Sequence, residues 1–211
     1  MSEDLVFYTN PMSRGRVVRW MLEEIGQPYR TELMDFAKIK AADYLAVNPM
    51  GKVPAIAHNG KVVTEVCAIC TYLADAFPAA GLAPALEDRA AYYRWLFYIA
   101  GPLEAAVTDK VLGVQISDEQ KRMVGYSCFD QMVDVLEGGV MAAGYVAGDR
   151  FTTADLLLAA YLGFYMVQFG VIEKRAAFEA YVARMTERPA YKRAAEIDDG
   201  LIARAQQQQP A

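Results

Sequence analysis

The run Asn48-Pro-Met-Gly-Lys-Val-Pro-Ala-Ile56, followed by Glu65, constrains this chain more than any other feature. A proline that begins a strand just after a Gly-Lys bend marks a locked backbone rather than a ladder position. Proline has no N–H to donate, and its X-Pro bond can be cis. Held in that way, the N–H and C=O of Val53 can face outward and pair with another main chain. A peptide is the ligand that this grip suits, rather than a sugar or a nucleotide.

Composition sets the outer limits. A chain of 211 residues with 55% hydrophobic content can bury one large core or two modest ones. Its formal net charge of −5 argues against nucleic acid or an anionic membrane surface as partner, while leaving room for a local basic pocket. The uncharged apolar stretch from Leu156 to Val167 falls short of the roughly 20 residues that span a bilayer, and reads as a buried helix. Met1 to Leu5 is acidic and no signal-type apolar region follows, so a cytoplasmic protein is expected. Three cysteines, an odd number, give no disulfide framework.

Two halves of the chain follow different rules. Up to Pro78 the elements are short and alternate: strand Leu5–Tyr8, a turn at Asn10–Ser13, helix Gly15–Ile25 stopped by Gly26, strand Tyr29–Leu33, and a helical turn Ala41–Val47. Strands Pro54–Ala57 and Lys61–Thr64 are joined through Asn59-Gly60, a strong hairpin signal, and Glu65 opens the next helix. Past an Ala, Gly and Pro-rich linker at residues 80–86, every pattern is helical. Helix 87–107 is expected to kink at Gly101-Pro102, and Ser117-Asp-Glu-Gln120 to cap a long helix reaching about Ala143. Phe151-Thr-Thr-Ala-Asp155 caps the apolar helix, and a last pair divides at Arg188-Pro189 before a frayed Gln206–Gln209 end. The fold class expected is α/β plus all-α: a small mixed-sheet domain at 1–79 and an all-helical domain at 87–211.

Four segments in this order carry a family resemblance: Pro11-Met-Ser13 with Arg16, the Asn48–Pro54 run, Thr64-Glu65 with Ala68-Ile69 and Tyr72-Leu73, and Phe151–Asp155. The stretch from Tyr181 to Tyr191 adds a fifth. Over about Leu5 to Ala195 the chain resembles the cytosolic glutathione S-transferases, in their serine-type, bacterial-like form. The resemblance implies a thioredoxin-like domain followed by a helical one, a homodimer, and glutathione as co-substrate with a small hydrophobic electrophile as its partner.

Conjugation needs a thiolate, and an unperturbed cysteine thiol titrates at about 8.5. A hydroxyl hydrogen bond to sulfur, beside the positive end of a helix, stabilises the anion. Ser13 stands at such a helix start, and the resemblance makes it the first choice for that role over a simple cap. Tyr8, where other classes place a tyrosine, and Asn10, which could donate an amide, are the alternates. Cysteine-type classes hold a reactive thiol in this turn, whereas Arg14 follows Ser13 here. By resemblance Val53 and Pro54 present the main chain to the cysteinyl part, Glu65 meets the γ-glutamyl end, and Lys52 or Lys40 faces the glycine carboxylate. Where the family has serine after that glutamate, this chain has Val66, which keeps only its backbone N–H at a helix start.

The remaining clusters are assigned more blandly. Cys67-Ala-Ile-Cys70 lies inside a helix rather than at the turn after the first strand, so these cysteines and Cys128 read as packing. The one histidine, His58, excludes histidine triads and multi-histidine metal sites, and no metal is expected. Met12, Tyr93, Tyr98, Tyr165 and Met166 are candidates for the electrophile pocket. Two functional alternatives remain: a noncatalytic ligand- or partner-binding protein of the same fold, and a glutathione-dependent disulfide or peroxide reductase.

Overall fold

The structure, a computed structural model, describes residues 5–142 and 144–207. The expected helix end at Ala143 and the end of the chain from 208 lie outside them. The described chain divides into two compact units: 81–187 forms one, and residues up to 80 together with those from 188 form the other.

The first unit is built on a four-stranded sheet, order β2-β1-β3-β4, from β1 (Leu5–Thr9), β2 (Arg30–Leu33), β3 (Ala55–His58) and β4 (Lys61–Thr64). β2 is parallel to β1 because α1 (Gly15–Ile25) connects them, while β3 and β4 are antiparallel and closed by the Asn59-Gly60 turn. Both turn residues have positive φ, 50° and 75°, as a two-residue hairpin loop of this kind requires. A short α2 (Ala42–Leu45) leads to the proline run, and α3 (Val66–Ala76) follows β4. Phe7, Val18, Met21, Ile56, Ile69 and Leu73 are buried together as the core between sheet and helices.

One helix changes sides relative to the sequence expectation. α9 (Pro189–Gln207) belongs with the first unit, not with the helices that precede it. Its reason is polar as well as apolar. Arg19, wholly buried on α1, donates Nε–H to Asp198 on α9 at 2.7 Å; Arg16 pairs with Asp199 at 2.8 Å; Arg188 grips Glu24 through two bonds of 2.6 and 2.8 Å. Trp20 packs edge-on against Tyr191 beside them.

The second unit is helical throughout: α4 (Ala90–Tyr98), α5 (Glu104–Leu112), α6 (Phe129–Ala142), α7 (Thr153–Leu162) and α8 (Ala176–Thr186). Gly101-Pro102 does not break α4 from α5. The chain passes through a π-helical turn, Ile99–Leu103, which absorbs the missing proline N–H and lets the helix continue. The Ser117 box forms as expected, with Ser117 N–H donating to Gln120 Oε1 at 2.8 Å and Gln120 N–H to Ser117 Oγ at 3.3 Å. It nucleates only a 3-10 turn, Gln120–Arg122, and α6 begins at Phe129 instead of 117. Between them Ser127 takes φ 60°, which helix cannot accommodate.

The Phe151–Asp155 cap is as expected. Asp155 accepts hydrogen bonds from the Thr152 N–H at 3.0 Å, the Thr152 hydroxyl, the Val146 N–H and the Tyr181 hydroxyl, all in a buried setting. Burial raises its carboxyl above the usual range, and those four donors oppose the rise. Among the described residues no helix is long and apolar enough to cross a membrane.

Candidate functional site

The turn between β1 and α1 is closed on itself. Asn10 accepts the Met12 N–H on Oδ1 at 2.9 Å and donates Nδ2–H to the Met34 carbonyl at 2.9 Å, which ties the turn to the end of β2. Ser13 Oγ accepts the Gly15 N–H at 3.0 Å and donates its proton to the Asn10 carbonyl at 2.7 Å. The hydroxyl therefore stands at the positive end of an 11-residue helix, half-buried, with its oxygen fixed and its single proton able to rotate toward another acceptor. Gly15 has to be glycine for this geometry, since a Cβ there would overlap Thr9 Oγ1. Met12 is exposed on the same turn.

The two alternates differ sharply. Asn10 already spends both ends of its amide on the turn, which makes it a brace. Tyr8 is half-buried on β1 with its ring 5.7 Å from that of Tyr44, and its hydroxyl makes no hydrogen bond among the described residues.

The Asn48–Ile56 run has a cis Val53-Pro54 bond. Val53 precedes the β1–β3 ladder, whose register begins with Ala55 opposite Tyr8, so its N–H and C=O have no ladder partner. Pro54 is buried and Val53 half-buried. Sequence reasoning missed the two groups behind them. The Lys52 carbonyl accepts the Tyr44 hydroxyl at 2.6 Å and Asn48 Nδ2–H at 2.8 Å, both from buried side chains. The Asn-Pro at the head of the run was the available signal, since an asparagine there bonds readily to nearby backbone. Gly51 takes φ 58°, and a Cβ on it would lie 2.8 Å from the Ile39 carbonyl and 3.0 Å from Lys40 Nζ. Lys40 and Lys52 are both exposed, and neither forms an ion pair among the described residues.

Glu65 has the least ordinary backbone of the site. At φ 67°, ψ 123° it lies outside every favoured region for an L-residue, which costs on the order of 1–3 kcal/mol. Its carboxylate is exposed and makes no hydrogen bond among the described residues. It stands immediately before α3, whose first N–H groups receive no side-chain cap; Val66 is buried at the first helical position.

The helical candidates are placed differently. Tyr93 is exposed. Tyr98 is half-buried, donates to the Met132 carbonyl at 3.0 Å, and is pushed up to about 12 by burial. Tyr165 and Met166 are each only 4% exposed, in a π-helical stretch, Gly163–Gln168, and the Tyr165 hydroxyl reaches Glu104 at 3.3 Å. Two cavities of this unit, of about 490 and 250 Å3, meet at Lys110 and Phe129, and none of these candidates lines either.

Cys70 is buried and its thiol is pushed well up, first by burial and then by neighbouring Cys67, so it is held as the weakly nucleophilic thiol. His58 is likewise internal, with Nδ1 2.9 Å from the Tyr72 hydroxyl. Among the described residues no cluster of three His, Cys, Asp or Glu side chains is placed to hold a metal.

Residues 12–76 match the glutathione S-transferase N-terminal domain and 119–189 its C-terminal domain. Glutathione S-transferase GstA of Escherichia coli O157:H7 is 31% identical over 189 residues, covering 86% of this chain and 90% of that one. A sphingomonad glutathione S-transferase solved with glutathione is 29% identical, with TM-score 0.75 over 92% of this chain and 98% of that one. A glutathione transferase from Methylococcus capsulatus is 27% identical, with TM-score 0.76 and the same coverage. The chain belongs to the glutathione S-transferase family: it is a glutathione transferase with a thioredoxin-like unit and a helical one.

Proposed function

We propose that this chain binds glutathione along Val53 and Glu65, stabilises its thiolate with the Ser13 hydroxyl, and transfers the sulfur to a small hydrophobic electrophile. The domain of residues 1–79 would hold glutathione. In the step itself the thiol proton leaves to solvent, a sulfur lone pair forms the new S–C bond, and the leaving group departs with its bonding electrons. Where nothing departs, the carbanion formed takes a proton.

The observation that carries this proposal is the Ser13 hydroxyl: an oxygen anchored by the Gly15 N–H with one proton that can turn from the Asn10 carbonyl to a sulfur. Lys40 and Lys52, cationic and unpaired among the described residues, suit the glycine carboxylate, and Glu65 suits the γ-glutamyl amine. The family supports a homodimer, and nothing in the sequence points to a membrane or to nucleic acid. Detoxification in the cytoplasm is the accompanying expectation.

A second activator has its own support, since the unbonded Tyr8 hydroxyl needs no exchange of partners. The ultraviolet absorbance of the thiolate, followed against pH for bound glutathione, separates them. Ser13→Ala should return the bound thiol toward the unperturbed value near 8.5 while glutathione still binds, and Tyr8→Phe should not. The reverse pattern moves the role to Tyr8.

A further inference from the structure

We infer that Tyr44 and Asn48 are positioning residues for glutathione's main chain, acting through the one peptide unit that joins Lys52 to Val53. The inference rests on the glutathione site proposed above. The two side chains are four residues apart, and the Asn48 N–H bonds the Tyr44 carbonyl at 2.8 Å, so both emerge from the same face of one helical turn. They converge on a single oxygen, the Lys52 carbonyl, at 2.6 and 2.8 Å. Together they occupy both of its lone pairs.

A planar trans peptide sets its C=O and N–H in opposite directions. Val53-Pro54 is the one cis bond among the described residues, so the Lys52–Val53 unit is trans. Drawing the Lys52 oxygen inward onto two buried donors therefore turns the Val53 N–H the other way, toward the ligand's carbonyl. Asn48 adds a second brace by accepting the Met50 N–H at 3.1 Å, which fixes the bend before Gly51. Tyr44 is a dependable donor, since burial pushes its phenol up to about 12 and it stays protonated under ordinary conditions. Neither side chain touches the reacting sulfur in this scheme. Their effect belongs in glutathione affinity rather than in the chemical step.

Tyr44→Phe removes one donor and little else. With 1-chloro-2,4-dinitrobenzene as electrophile, it should raise the KM for glutathione roughly fivefold to tenfold and weaken calorimetric binding equally, the loss of one net hydrogen bond. The kcat at saturating glutathione and the KM for the electrophile should stay within about twofold, a split that general loosening of the fold would not produce. Asn48→Ala should give the same split and serves in its place if Tyr44→Phe does not fold. Unchanged glutathione affinity in a variant that melts like the wild type overturns the positioning role alone. A wild-type protein that binds no glutathione overturns the glutathione site and this role together.

Discussion

The Ser13 turn and the Glu65 turn are both junctions where a strand of the same sheet hands over to a helix, and they are built in opposite ways. At Ser13 the side chains are answered: Asn10 uses both ends of its amide, and the serine oxygen is held between the Gly15 N–H and the Asn10 carbonyl. At Glu65 the backbone is forced to φ 67°, the carboxylate is exposed, and no side chain caps α3. Under the proposed function Ser13 would present one proton to one sulfur, and an oxygen fixed beforehand is what preorganisation asks of it. Groups that recognise ligand charges need to be left open. Under the same proposal the strain at Glu65 would be the cost of aiming an acid and a helix start in the same direction.

The largest way to break this contrast is to open the closed turn. Gly15→Ala places a methyl on Thr9 Oγ1 and should cost about 1–3 kcal/mol in urea unfolding, as overpacking in a fitted site does, with loss of thiolate formation. Stability and activity unchanged by this variant would mean that the turn is not a fixed element. Relaxing the strained turn should act oppositely on its two properties. Glu65→Gly relieves the positive φ, so its melting temperature should equal or exceed that of the wild type, while glutathione binding weakens about tenfold from the lost charged hydrogen bond. Weaker binding accompanied by a lower melting temperature would deny the trade. Smallest is Val66→Ser, which offers a hydroxyl beside the open α3 N–H groups and should tighten glutathione about threefold by calorimetry. No change would mean that the backbone N–H alone suffices there.

What could be read from the chain divides by sequence distance. Asp155 and Asp198 are both buried carboxylates raised by burial, yet only the first was foreseeable. Asp155 answers Thr152 three residues earlier, a local pattern, whereas Asp198 meets Arg19 from the far end of the chain. That pairing is one of the contacts that join α9 to α1 in the sheet unit, whereas the helical patterning of the sequence groups it with the helices before it. The Ser117 box shows the converse limit. Its local hydrogen bonds formed as expected, but nucleating a helix does not guarantee its propagation. In the site, Ser13, Val53 and Glu65 stood out because each sits at a turn or a proline. Tyr44 and Asn48 did not: the Asn-Pro pair signals Asn48 alone, and the backbone oxygen on which both converge carries no sequence signal.

The return of α9 to the sheet unit makes residues 81–187 an insertion between two segments of that unit. During synthesis β1 and α1 leave the ribosome before residues 81–187, and the helix carrying Asp198 leaves after them. The sheet unit is thus completed only after the helical unit has emerged, and until then the nascent chain must carry Arg19 without its carboxylate partner.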